Sequence, residues 1–253
     1  MGQTIAILNF KGGVGKTTTA INLAAALHNH KRKVMVIDID FQCNASSTLG
    51  FRPSEELNSI YELFTVKDIE TLPIYSKARG FDFIPSSKNM KHFNELMSSR
   101  NRREYLLKKM VDIFRDDYDY IFIDCPPNGG LLNTNAMCAA DSIIIPLDCE
   151  PYSLHGVVTI LDDIKAIKDD DVNPDLDILG FLLTRYDANL SIHKEVASAL
   201  RDEYPGQVFN AKIRKNTALS KASLQRQTIF EFDPNSNGAA DYDQLARELL
   251  KMK

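Results

Sequence analysis

An α/β fold is predicted for this chain: one domain in which a mostly parallel, twisted central sheet is covered by helices on both faces. Three observations carry that expectation. Short unbroken apolar runs recur, as in Ile5-Ala6-Ile7-Leu8 and Tyr120-Ile121-Phe122-Ile123. Segments of helical period stand between them, and a glycine-rich turn joins the first run to the first helix. Strands buried on both faces read as continuous apolar runs, and a helical crossover is the connection that parallel neighbours need.

The elements follow in order. The first strand is expected over residues 4–8 and the first helix over 19–27, with Asn9-Phe10-Lys11-Gly12-Gly13-Val14-Gly15-Lys16-Thr17-Thr18 between them. Strand, glycine turn, Lys-Thr and helix together make the phosphate-binding loop of a P-loop NTPase. Glycines let backbone N–H groups close on a polyphosphate, and the helix N-terminus adds a favourable dipole. Lys16 is placed to neutralise the β/γ oxygens and Thr17 to ligate Mg²⁺. A strict G-x-x-x-x-G-K-[ST] pattern fails, because Phe10 holds its first glycine position; a second lysine, Lys11, stands directly before the glycines. Further strands are expected over 34–38, 81–84, 120–124, 142–147 and 178–184. Helices are expected over 103–114, where Leu106, Leu107, Met110, Val111 and Phe114 share a face, over 153–167, and over 242–253 at the end of the chain.

Composition narrows the class. Of 253 residues, 44% are apolar, enough for a sizeable core, and no charge-free run is long enough to span a bilayer. The first strand begins almost at Met1, so the expectation is a single domain over 1–253 with neither signal peptide nor N-terminal DNA-binding extension. Cys43, Cys125, Cys138 and Cys149 are scattered without a C-x-x-C pair, which argues against a metal or iron–sulfur centre and for reduced cytosolic thiols.

Net charge is −4, yet the charge is segregated. Residues 205–230 contain no Asp or Glu but hold Lys212, Arg214, Lys215, Lys221 and Arg226. A second basic cluster comprises Lys88, Lys91, Arg100, Arg102, Arg103, Lys108 and Lys109. Such clustering lets a weakly acidic protein present a basic face to phosphates, and the competing reading is a solvated helix face. Should such a face meet DNA, Lys215, Lys221 and Arg226 are the leading candidate contacts, with Arg185 a weaker one. No recognition helix or zinc-finger pattern points to sequence-specific readout.

Two strand ends are acidic. The strand over 120–124 closes on Asp124, followed by Cys125-Pro126-Pro127, where a carboxylate can hold Mg²⁺ through water. The second strand ends in Asp38-Ile39-Asp40-Phe41-Gln42-Cys43-Asn44. Ligands of parallel sheets lie at the carboxyl ends of strands, so Asp38 and Asp40 arrive near a γ-phosphate. Either could orient an attacking water; turn-forming roles are the alternative.

These motifs resemble the ParA/Soj/MinD group of deviant Walker-type ATPases, most closely the short Soj-like DNA-partition ATPases. The resemblance covers Lys11 to Thr18, Val36 to Asn44, and Ile123 through Asp141. It continues in Pro146-Leu147-Asp148-Cys149-Glu150, in Leu182-Leu183-Thr184-Arg185-Tyr186-Asp187 and in Val208 to Ser220. It implies ATP and Mg²⁺ as cofactors and a nucleotide-sandwich homodimer. In such a dimer Lys11 reaches the partner's ATP, while Gly12, Gly13, Val14, Gly15, Lys16, Thr17 and Thr18 hold the nucleotide in cis. Asp40 positions the water and can approach the metal through water, Asp124 holds the metal, and Arg214 and Asn216 flank the adenine. It further implies weak intrinsic ATP hydrolysis, non-specific binding to double-stranded DNA, a ParB-like centromere-binding partner, and a cytoplasmic, nucleoid-associated protein.

The chain departs from the family in places. Asp-Pro-Gln-Gly-Asn is here Asp40-Phe41-Gln42-Cys43-Asn44, Ile-Pro-Arg-Asn is Ile213-Arg214-Lys215-Asn216, and an arginine often found after Thr-x-x-Asp-x is Asn189. Two other classes compete with partition. A MinD-like membrane switch needs a detachable amphipathic C-terminal helix; residues 242–253 carry Leu245, Leu249 and Met252 beside Arg247 and Lys251, but no Phe or Trp, so a packed helix without stable membrane association is expected. A biosynthetic ligase or kinase on the same scaffold finds no substrate domain in the sequence.

Overall fold

The structure is a computed structural model that describes residues 2–52, 59–65, 79–150 and 153–252. Its six strands are β1 (Gln3–Ile7), β2 (Val34–Asp38), β3 (Asp82–Ile84), β4 (Tyr120–Asp124), β5 (Ser142–Asp148) and β6 (Asp177–Thr184). They form one sheet in the order β3-β2-β4-β1-β5-β6, and every pairing is parallel. The register sets Ile7 of β1 and Asp38 of β2 level with Asp124 of β4. That alignment brings the two acidic strand ends to the loop that follows β1, as the sequence predicted.

Each strand buries both faces with a period of two. Ile5, Ile7, Val36, Phe122 and Leu182 pack with α1 (Lys16–Asn29), and Ala6, Ile37, Ile123, Ile145 and Leu183 face the opposite layer. The elements α2 (Asn44–Thr48), α3 (Ile60–Thr65), α4 (Phe93–Leu96) and α5 (Leu106–Phe114) follow, then α6 (Leu131–Ala139), α7 (Ser153–Asp169), α8 (Ser191–Glu203), α9 (Thr217–Leu224), α10 (Ile229–Phe232) and α11 (Asn237–Lys251). The α1 layer includes residues of α9, α10 and α11; α3 to α8 supply the other. Helix α1 has little polar stripe, because α11 covers the side turned away from the sheet.

Several boundaries moved for local reasons. Helix α1 opens at Lys16, earlier than expected, since the turn ends at Gly15 in a left-handed conformation (φ 91°). The segment predicted as one helix over 103–114 starts as a 3₁₀ turn (Arg103–Tyr105) and becomes α-helical at Leu106. Its apolar face is as predicted, with Leu106, Leu107, Met110 and Val111 buried. Helix α6 has no apolar period, because its buried Asn133 and Asn135 serve as backbone ties. Asn135 accepts from the Leu107 N–H (3.1 Å) and donates to the Arg103 and Leu131 carbonyls (2.9 and 2.8 Å).

Strand β6 lies at the sheet edge, where an open row of backbone groups invites further pairing. Here the following chain covers it: Phe181 N–H donates to Gln207, Ile213 N–H to Leu183, and Lys215 N–H to Tyr186. Gly180 permits this approach, since a Cβ there would meet the Phe209 ring at 2.7 Å. The cover delivers Arg214, Lys215 and Asn216 to the carboxyl end of the sheet. Helix α11 buries Tyr242, Leu245 and Leu249 in the α1 layer, so the expected packed final helix is what the structure contains. Among the described residues no helix is long and apolar enough to cross a membrane. All four cysteines are buried free thiols.

Candidate nucleotide-binding site

Gly13 (φ 75°) and Gly15 (φ 91°) hold the left-handed backbone that the loop after β1 requires. Thr184, at the end of β6, fixes this loop from outside: its Oγ1 lies 2.9 Å from the Val14 carbonyl and 3.1 Å from that of Leu147. Lys16 is buried in the first turn of α1, where its Nζ donates to the Lys11 carbonyl at 3.0 Å. Burial lowers its pKa, opposed by the nearby carboxylates of Asp124 and Asp40. An ammonium held inside the loop, bonded to a carbonyl that bounds the same loop, can exchange that carbonyl for phosphate oxygen.

The three acidic residues separate into distinct roles. Thr17 Oγ1 donates to Asp124 Oδ2 at 2.8 Å, while Asp124 Oδ1 is buried without a hydrogen-bond partner. Burial, and then the neighbouring Asp38, push the Asp124 carboxyl well above the usual carboxylate range. Asp38 is fully committed: Oδ1 accepts from the Asp40 N–H (3.0 Å), and Oδ2 from the Ser46 N–H (2.9 Å) and hydroxyl (2.7 Å). Burial pushes Asp38 up to about 7. Asp40, 4% exposed, uses Oδ1 to accept from the Gln42 N–H at 2.9 Å, and burial raises its pKa while Lys16 opposes the rise. Asp38 is therefore tied into the turn through both oxygens, whereas Asp40 spends Oδ1 on the Gln42 N–H.

This donor set fits Mg²⁺. Two carboxyls, Asp124 and Asp40, act on the Lys16 ammonium, Asp124 Oδ1 has no partner among the described residues, and the Thr17 hydroxyl spends its proton on Asp124 while keeping its lone pairs. Among the described residues no cluster of three or more side chains forms a metal cage by itself.

A cavity of about 910 Å³ opens beside the loop. Gly13, Gly15 and Thr18 line one side, and Arg214, Lys215, Asn216 and Tyr242 another. The Arg214 guanidinium is not loose: Nε and Nη2 reach Asp241 Oδ1 at 2.9 and 2.6 Å. Asn216 caps α9 by accepting from the Ala218 N–H at 2.8 Å. Both expected adenine neighbours thus border the cavity as fixed walls.

Sequence reasoning missed Asp148 and Ser153. Lys11 Nζ lies 2.9 Å from each oxygen of Asp148 and 3.4 Å from Ser153 Oγ. Asp148 is the last residue of β5, so the strand-end rule that found Asp38 and Asp124 could have found it too. The expected DNA contacts divide. Lys215, Lys221 and Arg226 are exposed and make no ion pair among the described residues, whereas Arg185 sits against the phosphate loop, its Nη2 3.9 Å from where a Cβ on Gly13 would stand. Elsewhere in the acid-free stretch, Lys212 lies 4.1 Å over the Tyr186 ring and Arg214 is held by Asp241. The second basic cluster is partly spent on its own chain, through Lys108 to Asp112, Arg103 to the Ser98 carbonyl and Arg100 to the Phe64 carbonyl.

Known proteins carry the same architecture. Residues 2–178 match the family described as AAA domain. The chromosome partitioning protein ParA of Myxococcus xanthus is 38% identical over 252 residues, covering 99% of this chain and 89% of its own. The sporulation initiation inhibitor protein Soj of Bacillus subtilis is 37% identical over 251 residues, 98% of each chain. Among solved structures, cobyrinic acid a,c-diamide synthase from Mycobacterium smegmatis with bound ADP and magnesium superposes with a TM-score of 0.86 at 30% identity, covering 99% of this chain and 95% of that one. Full-length similarity to ParA and Soj, on a sheet that assembles Lys11, Lys16, Thr17, Asp40 and Asp124 at one end, places the chain in the ParA/Soj family of deviant Walker-type ATPases.

Proposed function

We propose that this chain is a single-domain ATPase that forms a nucleotide-sandwich homodimer with ATP and Mg²⁺, binds double-stranded DNA without sequence preference, and so partitions or positions a DNA cargo. The observation that carries the reading is the phosphate loop itself. It holds a buried Lys16 over its own turn, an outer Lys11 whose side chain is 43% exposed, and an Asp124 oxygen without a partner among the described residues beside Thr17. The similarity to ParA and Soj supports a partition role over a biosynthetic one. Hydrolysis stimulated by a ParB-like partner, and a cytoplasmic, nucleoid-associated location, belong to the same reading.

Each residue has a task in it. Backbone N–H groups of Gly13 to Thr18 and the Lys16 ammonium bind the phosphate chain, and Thr17 and Asp124 would hold Mg²⁺, which screens phosphate charge and orients the terminal phosphoryl group. Asp40, fixed through Gln42, accepts a hydrogen bond from the attacking water and aligns it. Lys11 enters the second protomer's nucleotide site. Lys215, Lys221 and Arg226 meet DNA phosphates, and pairing two protomers doubles the cations offered, so dimerisation switches DNA binding through counterion release.

The test compares two lysines. Lys16→Ala should abolish binding of a fluorescent ATP analogue, whereas Lys11→Ala should bind it normally but fail to dimerise by light scattering. Equal loss of binding in both variants would make Lys11 a cis ligand and remove the sandwich.

A further inference from the structure

The ammonium that this reading sends into a second protomer is already occupied. Lys11 Nζ has three acceptors in its own chain: both oxygens of Asp148 at 2.9 Å and Ser153 Oγ at 3.4 Å. A lysine ammonium has three protons, so none is left for a phosphate oxygen until one of these contacts breaks. The Lys11 backbone is tied to the same strand. Its N–H donates to Asn9 Oδ1 at 2.8 Å, and Asn9 Nδ2 donates to the Pro146 carbonyl at 2.7 Å.

The pairing is asymmetric. The Lys11 side chain is 43% exposed and that of Asp148 only 7%. Ser153, at the first turn of α7, donates its hydroxyl to Asp148 Oδ1 and fixes the carboxylate. If Lys11 leaves, a nearly buried carboxylate loses its counterion, which is far costlier than freeing a half-exposed lysine. Arg185 is a second cation whose field reaches Asp148. It sits beside the phosphate loop and can partly compensate that charge.

We propose that Asp148, oriented by Ser153, is a positioning residue that latches Lys11 in its own protomer, and that this latch sets the protein concentration at which the ATP-bound dimer forms. Lys11 then passes from one anion to another, so dimerisation gains only the difference between phosphate and Asp148. The inference rests on the reading of Lys11 as the residue that reaches the partner's nucleotide.

The test uses the full chain with Asp148→Asn, which keeps the shape and removes the charge, alongside Ser153→Ala and the conservative Asp148→Glu. In nucleotide-free protein, acetylation of Lys11 by an N-hydroxysuccinimide ester is followed by mass spectrometry, with exposed Lys31 and Lys33 as internal standards. Labelling of Lys11 should rise several-fold in Asp148→Asn, less in Ser153→Ala, and stay near the parent level in Asp148→Glu. With ATP and Mg²⁺, the dimerisation midpoint read by light scattering should fall about tenfold in Asp148→Asn, the size of one charge-assisted hydrogen bond. Unchanged Lys11 labelling overturns the latch, whether or not dimerisation changes. Raised labelling with an equal or higher midpoint overturns its control of assembly. If the parent chain and Asp40→Ala both stay monomeric with ATP at every concentration, the dimer reading itself fails and the latch's role in assembly fails with it.

Discussion

Removing the Arg214 side chain should destabilise the protein more than removing the Asp241 carboxylate, although the two form one ion pair. Asp241 accepts from the Arg214 N–H at 2.9 Å, from Nε at 2.9 and 3.1 Å, and from Nη2 at 2.6 Å. Its side chain is 5% exposed, while that of Arg214 is 46% exposed. In Asp241→Ala the guanidinium turns to water, and the loss is confined to the charge-assisted bonds and one backbone acceptor, about 1–2 kcal/mol. In Arg214→Ala a buried carboxylate is stranded. Such a loss costs about 3–5 kcal/mol where the site is closed. The half-open guanidinium position admits water, which brings the cost to about 2–3 kcal/mol. At about 2–4 °C per kcal/mol for a chain of this size, Arg214→Ala should lower Tm by about 4–12 °C and Asp241→Ala by about 2–8 °C. Urea melts of both variants make the measurement, and nucleotide titrations accompany them. Because the phosphate loop is untouched, ATP and ADP should weaken by the same factor as the cavity wall loosens. Equal costs for the two variants would refute the assignment of burial to the carboxylate side.

Three further outcomes are expected. Asp40→Ala should lower hydrolysis at least tenfold and accumulate ATP-bound dimer with a small loss of stability, since it strands the Gln42 N–H, whereas Asp38→Ala should lose more stability in urea because it strands the Asp40 and Ser46 donors; wild-type turnover in Asp40→Ala would move the water elsewhere. Cys43 is buried with φ 55°, where the family has glycine, so Cys43→Gly should be more stable than Cys43→Ala by about 1 kcal/mol, the reverse of the order in a helix; the opposite order in thermal melts would contradict the strain. The double variant Lys215→Ala/Arg226→Ala should reduce the slope of log K against log salt by about 2 for each protomer in contact, alike for all duplex sequences, in anisotropy titrations with ATP; an unchanged slope would reject this surface.

Much of the architecture was written in local chemistry. Ile5-Ala6-Ile7-Leu8 and Tyr120 to Asp124 are apolar on both faces, and only a sheet covered on both sides buries such runs. The loop from Lys11 to Thr18 was legible because glycine dihedrals, a lysine and a helix start must be contiguous in the chain to act together. Asp124 and the Asp38–Asp40 pair were legible as strand ends. What the sequence alone could not show was how each carboxylate is tied, because that depends on hydrogen bonds from other segments. Ser46 holds Asp38 Oδ2, and Thr17 bonds Asp124 across a separation of 107 residues. Helix α6 escaped the periodicity rule since its buried Asn133 and Asn135 donate to carbonyls of neighbouring segments, and Asn135 also accepts from the Leu107 N–H. The pairing of Lys11 with Asp148 joins β5 to a loop 137 residues earlier, and Arg185 lies on that loop only because β6 is carried there by β5. Contiguous chemistry fixes which motifs are present. The parallel register decides which of their side chains share a site, because it alone sets strand ends from remote parts of the chain side by side.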